Sequence, residues 1–251
     1  MNNPESHKCL GKDELLSTTK ANIEKFGLQV IMVEGTSYLP PFAYSIGLWE
    51  KYHQPELICF GLPEGLGHAI INDVAEMVKN GENIRANTDY TEIFKDAKAT
   101  FLEVDQRNIK DYFGAAINYY NNSDFQALQL IWTDRQNKYP WEESFEEVYF
   151  RKQPLLDRNA EFKFLEPRNL ATYTMRQWRD DNQPILLVSH DLNGEWQFLT
   201  DDAEMGNGLV VCLEDIIKKD LTLNELFDLG YGEAAERDAV GDTWRRMKSE
   251  E

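Results

Sequence analysis

Basic residues are scarce in this sequence. Lys and Arg total 26 against 44 Asp and Glu, for a net charge of −18. So acidic a surface repels phosphate backbones and anionic lipid, which argues against nucleic-acid and membrane partners and would attract a basic partner. Its plainer role is solubility. Long apolar runs are missing too. Nothing approaches the roughly 20 residues that cross a bilayer, and the opening MNNPESHKCLGKDELL has no apolar core of a secretory signal. Cysteine is limited to Cys9, Cys59 and Cys212, an odd number whose spacing matches no metal knuckle. Reduced thiols and a cytoplasmic setting are the expectation. The four histidines are His7, His53, His68 and His190. No two stand at ligand spacing, so no metal site is expected. No strand, Gly-rich loop and helix combine into a complete phosphate fingerprint, and no cofactor is expected.

What is present suffices for a sizeable core. The chain has 251 residues, 42% of them hydrophobic, with 13 Phe, 11 Tyr and 6 Trp, enough for one large or two modest domains. GKDELLSTTKANIEKFG reads as a first helix, with Asp13 as N-cap and Gly27 closing it. LQVIMVE, Phe42–Leu48 and Glu56–Leu62 read as strands. Between the last two lies a predicted loop carrying Trp49, Tyr52 and His53. Leu66, Ile70, Val74 and Met77 then recur at helical spacing. ATFLEV and FQALQLIWTD are strands, QRNIKDYFGAAINYY is a helix, and RQNKYPWEESF is a long turn. The charged segment RKQPLLDRNAEFKFLEPRNL reads as a linker. Beyond it ATYTMRQW, PILLVSHD and GEWQFLT read as strands, GLVVCLEDIIKKD as a strand turning into a helix, and TLNELFDL as a short helix. Strands cluster rather than alternate with helices. The expected class is α+β, in two mainly antiparallel-sheet domains with flanking helices, residues 1–155 and 156–251.

The segments PPFAYSIGL, PELICFGLP and LQLIWTDRQNKYPWE resemble a bacterial family known as domain of unknown function 4262, over about residues 20–150. VSHDLNGEWQFLT resembles the C-terminal extension common in that family, which is similar to a module associated with bacterial immunity proteins. The resemblance implies a fold unit and a bacterial origin. It carries no reaction and no catalytic residue.

Each chemical candidate has a plainer reading beside it. His53 sits in the predicted loop near Glu50 and Glu56, where a base or a solvated histidine fits. His190 and Asp191 are strand neighbours and point to opposite faces, so they form no simple dyad. Asp191 suits the turn that follows. Cys59 and Cys212 read as buried thiols. No catalytic set emerges. Tyr44 and Trp132 read as core, while Trp49, Tyr139 and Trp141 lie in predicted loops and read as candidate anchors for a partner. The candidate partner-binding residues are therefore Trp49, Glu50, Tyr52, His53, Tyr139, Trp141, Glu142 and Glu143, with Asp201, Asp202 and Glu204 in the second domain. The leading expectation is a non-enzymatic binding protein, of the immunity or toxin-neutralising kind, using an acidic surface. The alternative is a small-molecule or flavin-binding protein resembling a split barrel.

Overall fold

The computed structural model describes residues 11–200 and 207–248. His7, Cys9, Asp201, Asp202 and Glu204 lie outside the described residues. The chain divides into two units. One comprises residues up to Glu34, Pro41–Tyr149 and Leu155–Asp157; the other comprises Gly35–Pro40, Phe150–Pro154 and the residues from Arg158 onward. Both are α+β.

In the first unit α1 (Lys12–Phe26) begins after Gly11, not after Asp13, and ends at Gly27 with φ 84°. It is followed by β1 (Gln29–Val33), β2 (Phe42–Ile46), α2 (Leu48–Tyr52), β3 (Glu56–Phe60) and α3 (Leu66–Lys79). Then come β4 (Ala99–Glu103), α4 (Ile109–Tyr112), α5 (Gly114–Tyr120) and β5 (Ala127–Trp132). The strands form one sheet in the order β1-β2-β3-β5-β4, antiparallel except for the β3–β5 pair. The single helix expected over Gln106–Tyr120 is broken. Phe113 leaves helical geometry at φ −110°, ψ 36°, and its fully buried ring packs edge-on against Tyr44 and Phe125. Core packing of one aromatic overrides the helical period there.

β3 is central, and all five of its residues are buried. Alternation sends Leu57 and Cys59 toward Ile70, Ile71 and Val74 of α3. Ile58 and Phe60 take the other face, where Phe60 meets Phe42 and Tyr112. Cover on both faces explains the continuous apolar run. Gly67 lets α3 approach closely. A Cβ there would stand 3.1 Å from the Cys59 sulfur and 3.4 Å from the Ala43 Cβ. Leu156, fully buried, closes the unit. Its N–H donates to Gln129 Oε1 and its carbonyl accepts from Asn108 Nδ2.

The second unit contains β6 (Ala171–Met175), α6 (Arg176–Asp180), β7 (Leu187–His190), β8 (Trp196–Leu199), β9 (Gly208–Cys212), α7 (Leu213–Lys219), β10 (Glu233–Glu236) and β11 (Arg245–Lys248). Their order is β11-β10-β7-β8-β6-β9, antiparallel except for β6–β8. The strand expected to run through ATYTMRQW stops at Met175, where α6 begins. TLNELFDL forms a 3₁₀ turn over Leu221–Leu226. The buried Arg237 guanidinium is fully engaged: it donates to Ile185 O, Thr222 Oγ1 and Asp220, and lies 4.3 Å over the Trp244 ring. A buried charge held by this many acceptors is tolerated.

The two described thiols differ, contrary to the expectation that both are buried. Cys59 is buried and its thiol is pushed up to about 12 by that burial. Cys212 is exposed, because β9 is a sheet edge with no buried residue. In a Cys9→Ser background, a thiol reagent should label Cys212 in the native protein and Cys59 only after unfolding. Native labelling at Cys59, read by mass spectrometry, would contradict this packing.

Candidate functional site

The turn between β2 and β3 is built around one carboxylate. Glu56 is fully buried at the head of β3. Its Oε1 accepts from Gly47 N at 2.8 Å, Trp49 N at 3.1 Å and Tyr120 Oη at 2.5 Å. Its Oε2 accepts from Ser45 Oγ at 2.5 Å, and Ser45 Oγ in turn accepts from Leu57 N at 2.8 Å. The two backbone amides belong to the start of α2, so Glu56 caps that helix from across the hairpin. Burial pushes the carboxyl above its ordinary value, while the hydrogen bonds from Ser45, Tyr120, Trp49 and Gly47 pull it back.

This cap explains a departure from the sequence reading. Residues 48–52 form a helix, not a loop, so Trp49, Glu50 and Tyr52 stand on α2. Gly47 enters at φ 116°, and a Cβ there would lie 3.0 Å from Gly27 O. His53 ends the turn at φ 54°. The turn of that helix then parts the predicted residues. Tyr52 lines a groove with Asn72 and Glu76.

Trp49, Glu50 and His53 line an open cleft of about 750 Å³ between α1, α2 and α5. Lys20 and Glu24 come from α1, Lys51 from α2, and Tyr119 and Tyr120 from α5. Tyr119 Oη donates to Glu50 Oε2 at 2.5 Å. Burial and then the Glu50, Glu24 and Glu56 carboxylates push the Tyr119 hydroxyl above its ordinary range. The sequence reading named Glu56 only as a neighbour of His53 and did not foresee its buried capping role. Its one signal was an acidic residue opening an otherwise apolar strand, ELICF.

The other predicted anchors form a separate cluster. Tyr139, expected as a loop aromatic that anchors a partner, is buried: its Oη donates to Asp89 Oδ1 at 2.8 Å and its N–H to Glu142 Oε2 at 2.7 Å. Trp141 stacks on it, with ring centroids 4.9 Å apart, and stays 42% exposed. Lys98 Nζ sits 4.4 Å over the Tyr139 ring and 3.8 Å from Glu142. Glu143 is exposed, and its carbonyl accepts from Lys138 Nζ. Asp134 holds the loop in shape by accepting from the N–H groups of Gln136, Lys138 and Glu146.

In the second unit His190 is fully buried. Its Nδ1 lies 2.7 Å from Leu229 O, so the neutral ring carries its proton there. Its ring stacks on Trp196 at 4.0 Å and meets Tyr38 and Tyr231. Its Nε2 is buried with no hydrogen-bond partner among the described residues. Asp191 turns away and accepts from Asn193 N and Glu195 N, as a turn residue does.

Two outcomes follow from these groups. Glu56→Ala removes the acceptor of the Trp49 amide and of the Ser45 and Tyr120 hydroxyls, leaving the Gly47 amide only Tyr120 Oη, and should cost at least about 2 kcal/mol in urea unfolding. Glu56→Gln, which mimics the protonated acid, should cost less. The raised carboxyl binds its proton more tightly when folded, so its stabilisation is lost as pH rises. The deficit of the Gln variant should therefore shrink as pH rises above the ordinary Glu range. His190 has the opposite sign. Burial lowers its pKa from 6.5, so the unfolded chain takes up the proton first and stability falls as pH drops below that value. His190→Asn keeps a donor for Leu229 O and should flatten the pH dependence of stability between about pH 7 and 5. An unchanged slope in that variant would show that His190 does not set it.

No helix among the described residues is long and apolar enough to cross a membrane. No curated protein and no solved structure matches the chain. Residues 22–146, which carry the Glu56 network, most of the cleft lining and the Trp141 loop, match the model of the family described as Domain of unknown function (DUF4262).

Proposed function

We propose that this chain is a non-enzymatic bacterial binding protein that neutralises a basic partner, of the toxin class, through its acidic surface. The observation that carries the reading is the cleft between α1, α2 and α5. There a half-buried indole and two tyrosine rings stand beside Glu24 and Glu50, in a protein of net charge −18. Aromatic rings supply contact area at low entropic cost, and carboxylates steer a cationic partner. The exposed Trp141, backed by Tyr139 and flanked by Glu142, has the same chemistry.

The engagement of the reactive groups within the fold supports the same reading. Glu56 is held by four donors, Asp134 by three amides, His190 Nδ1 by Leu229 O, and Cys59 is buried. Each of these contacts stabilises a turn, a strand end or a core.

The full chain, immobilised, should retain one basic protein from the native organism at about 0.05 M salt and release it by about 0.5 M, because screening weakens exposed charge pairs. Co-expression should protect cells from that protein. Recovery of no partner, with no protection against the product of the neighbouring gene, would overturn the reading.

A further inference from the structure

We propose that His190 is an acid-sensitive latch: protonation of its ring releases the turn Leu229–Gly232 from β7. The device lies wholly within the second unit and is independent of the binding reading above.

Two hydrogen bonds tie this turn to β7, and both end on His190. Its Nδ1 donates to Leu229 O and its carbonyl accepts from Gly232 N, each at 2.7 Å. The Tyr231 ring, between those two residues in sequence, packs against the imidazole with centroids 4.7 Å apart. The turn's other hydrogen bonds among the described residues are local. Leu229 N donates to Leu226 O, Gly230 N to Glu233 Oε2, and Glu233 N to Gly230 O. One side chain thus holds down a segment that is otherwise self-contained, the kind of unit that opens separately from a fold.

The imidazole has nowhere to put a second proton. It is fully buried. Trp196 stacks on it at 4.0 Å, and the Tyr38 ring stands edge-on at 4.8 Å. Nε2 has no hydrogen-bond partner among the described residues, and neither has Trp196 Nε1. The neutral ring wastes only a lone pair there. The imidazolium would bury an unpaired N–H and a charge, which costs far more. Water reaches Nε2 only when a neighbour moves. Tyr38 is anchored, its hydroxyl donating to Glu166 at 2.8 Å. Tyr231 is half-buried at the surface and is the neighbour that gives way, taking the turn with it.

The titratable groups facing the ring are Tyr38, Tyr231, Glu233 opposite on β10 and Asp191 beside it on β7, with Glu166 behind Tyr38, and Arg151. Glu166 and Asp191 favour the imidazolium and Arg151 opposes it; burial outweighs the acids. The opened ring, hydrated, takes up its proton first, so acid favours the open turn. A charge change at one buried group thereby biases a two-state element.

The test is hydrogen–deuterium exchange of the full chain at about pH 7.5 and 5.5, corrected for the intrinsic pH dependence of exchange. With an ordinary value of 6.5 for the opened ring, protection of the Gly232 amide should fall about tenfold between the two. Protection of β8 should hold. His190→Asn removes the titration, keeps a donor for Leu229 O, and should abolish the fall. Glu166, Asp191 and Glu233 remain in that variant, so a fall that persists there belongs to a carboxyl and overturns the proposal. The wild type alone can also overturn it. Unchanged protection at Gly232 would show that the turn stays closed in acid, and an equal loss in β8 would show that the sheet opens as a whole.

Discussion

The first unit depends on burying one carboxylate at the start of its central strand. Glu56 cannot be hydrated there, so donors must come to it, and they come from three directions: the end of β2, the start of α2 and the end of α5. The requirement to satisfy a buried acid thus sets the geometry of a hairpin connection, the direction of a short helix and the position of a tyrosine at the cleft. A five-residue helix is marginal by itself. Here its first amides are paired by a side chain eight residues after its start, so it persists as part of the core rather than by propensity.

Much of the architecture was legible because apolar periodicity reports burial directly. α3 carries its apolar residues at helical spacing and buries Ile70, Val74 and Val78. β3 reads as a continuous apolar run because both faces are covered. The features that escaped are those set by contacts distant in sequence. The break at Phe113 follows from a ring wedged between Tyr44 and Phe125. Tyr139 sits in a segment rich in turn residues, yet Asp89, 50 residues earlier, accepts a hydrogen bond from its hydroxyl. Cys212 lies in an apolar run that resembles the one around Cys59, but β9 is an edge and β3 a centre. Local pattern does not distinguish the two positions; sheet order does.

The candidate site was only half legible for the same reason. Trp49, Glu50 and His53 were recognisable as an aromatic and charged group between two strands. Their partners were not, since Lys20 and Glu24 come from α1 and Tyr119 and Tyr120 from α5. An i, i+1 pair of tyrosines ending a helix usually diverges. Here one ring serves the buried Glu56 and the other serves Glu50, so the pair links the interior network to the cleft wall.

The way the chain is apportioned between the two units bears on how such a protein changes over evolutionary time. Six residues between β1 and β2 belong to the second unit, and Leu155–Asp157 return to the first after Phe150–Pro154 have left it. The family match ends at residue 146, before Leu156 supplies its two bonds to Gln129 and Asn108. No single crossover point therefore separates the units cleanly. A recombination event at the apparent boundary would leave Gln129 and Asn108 without those partners and orphan Tyr38 from Glu166. Exchange of one unit for another requires matched changes in three stretches of sequence, which favours inheritance of the two as a single block.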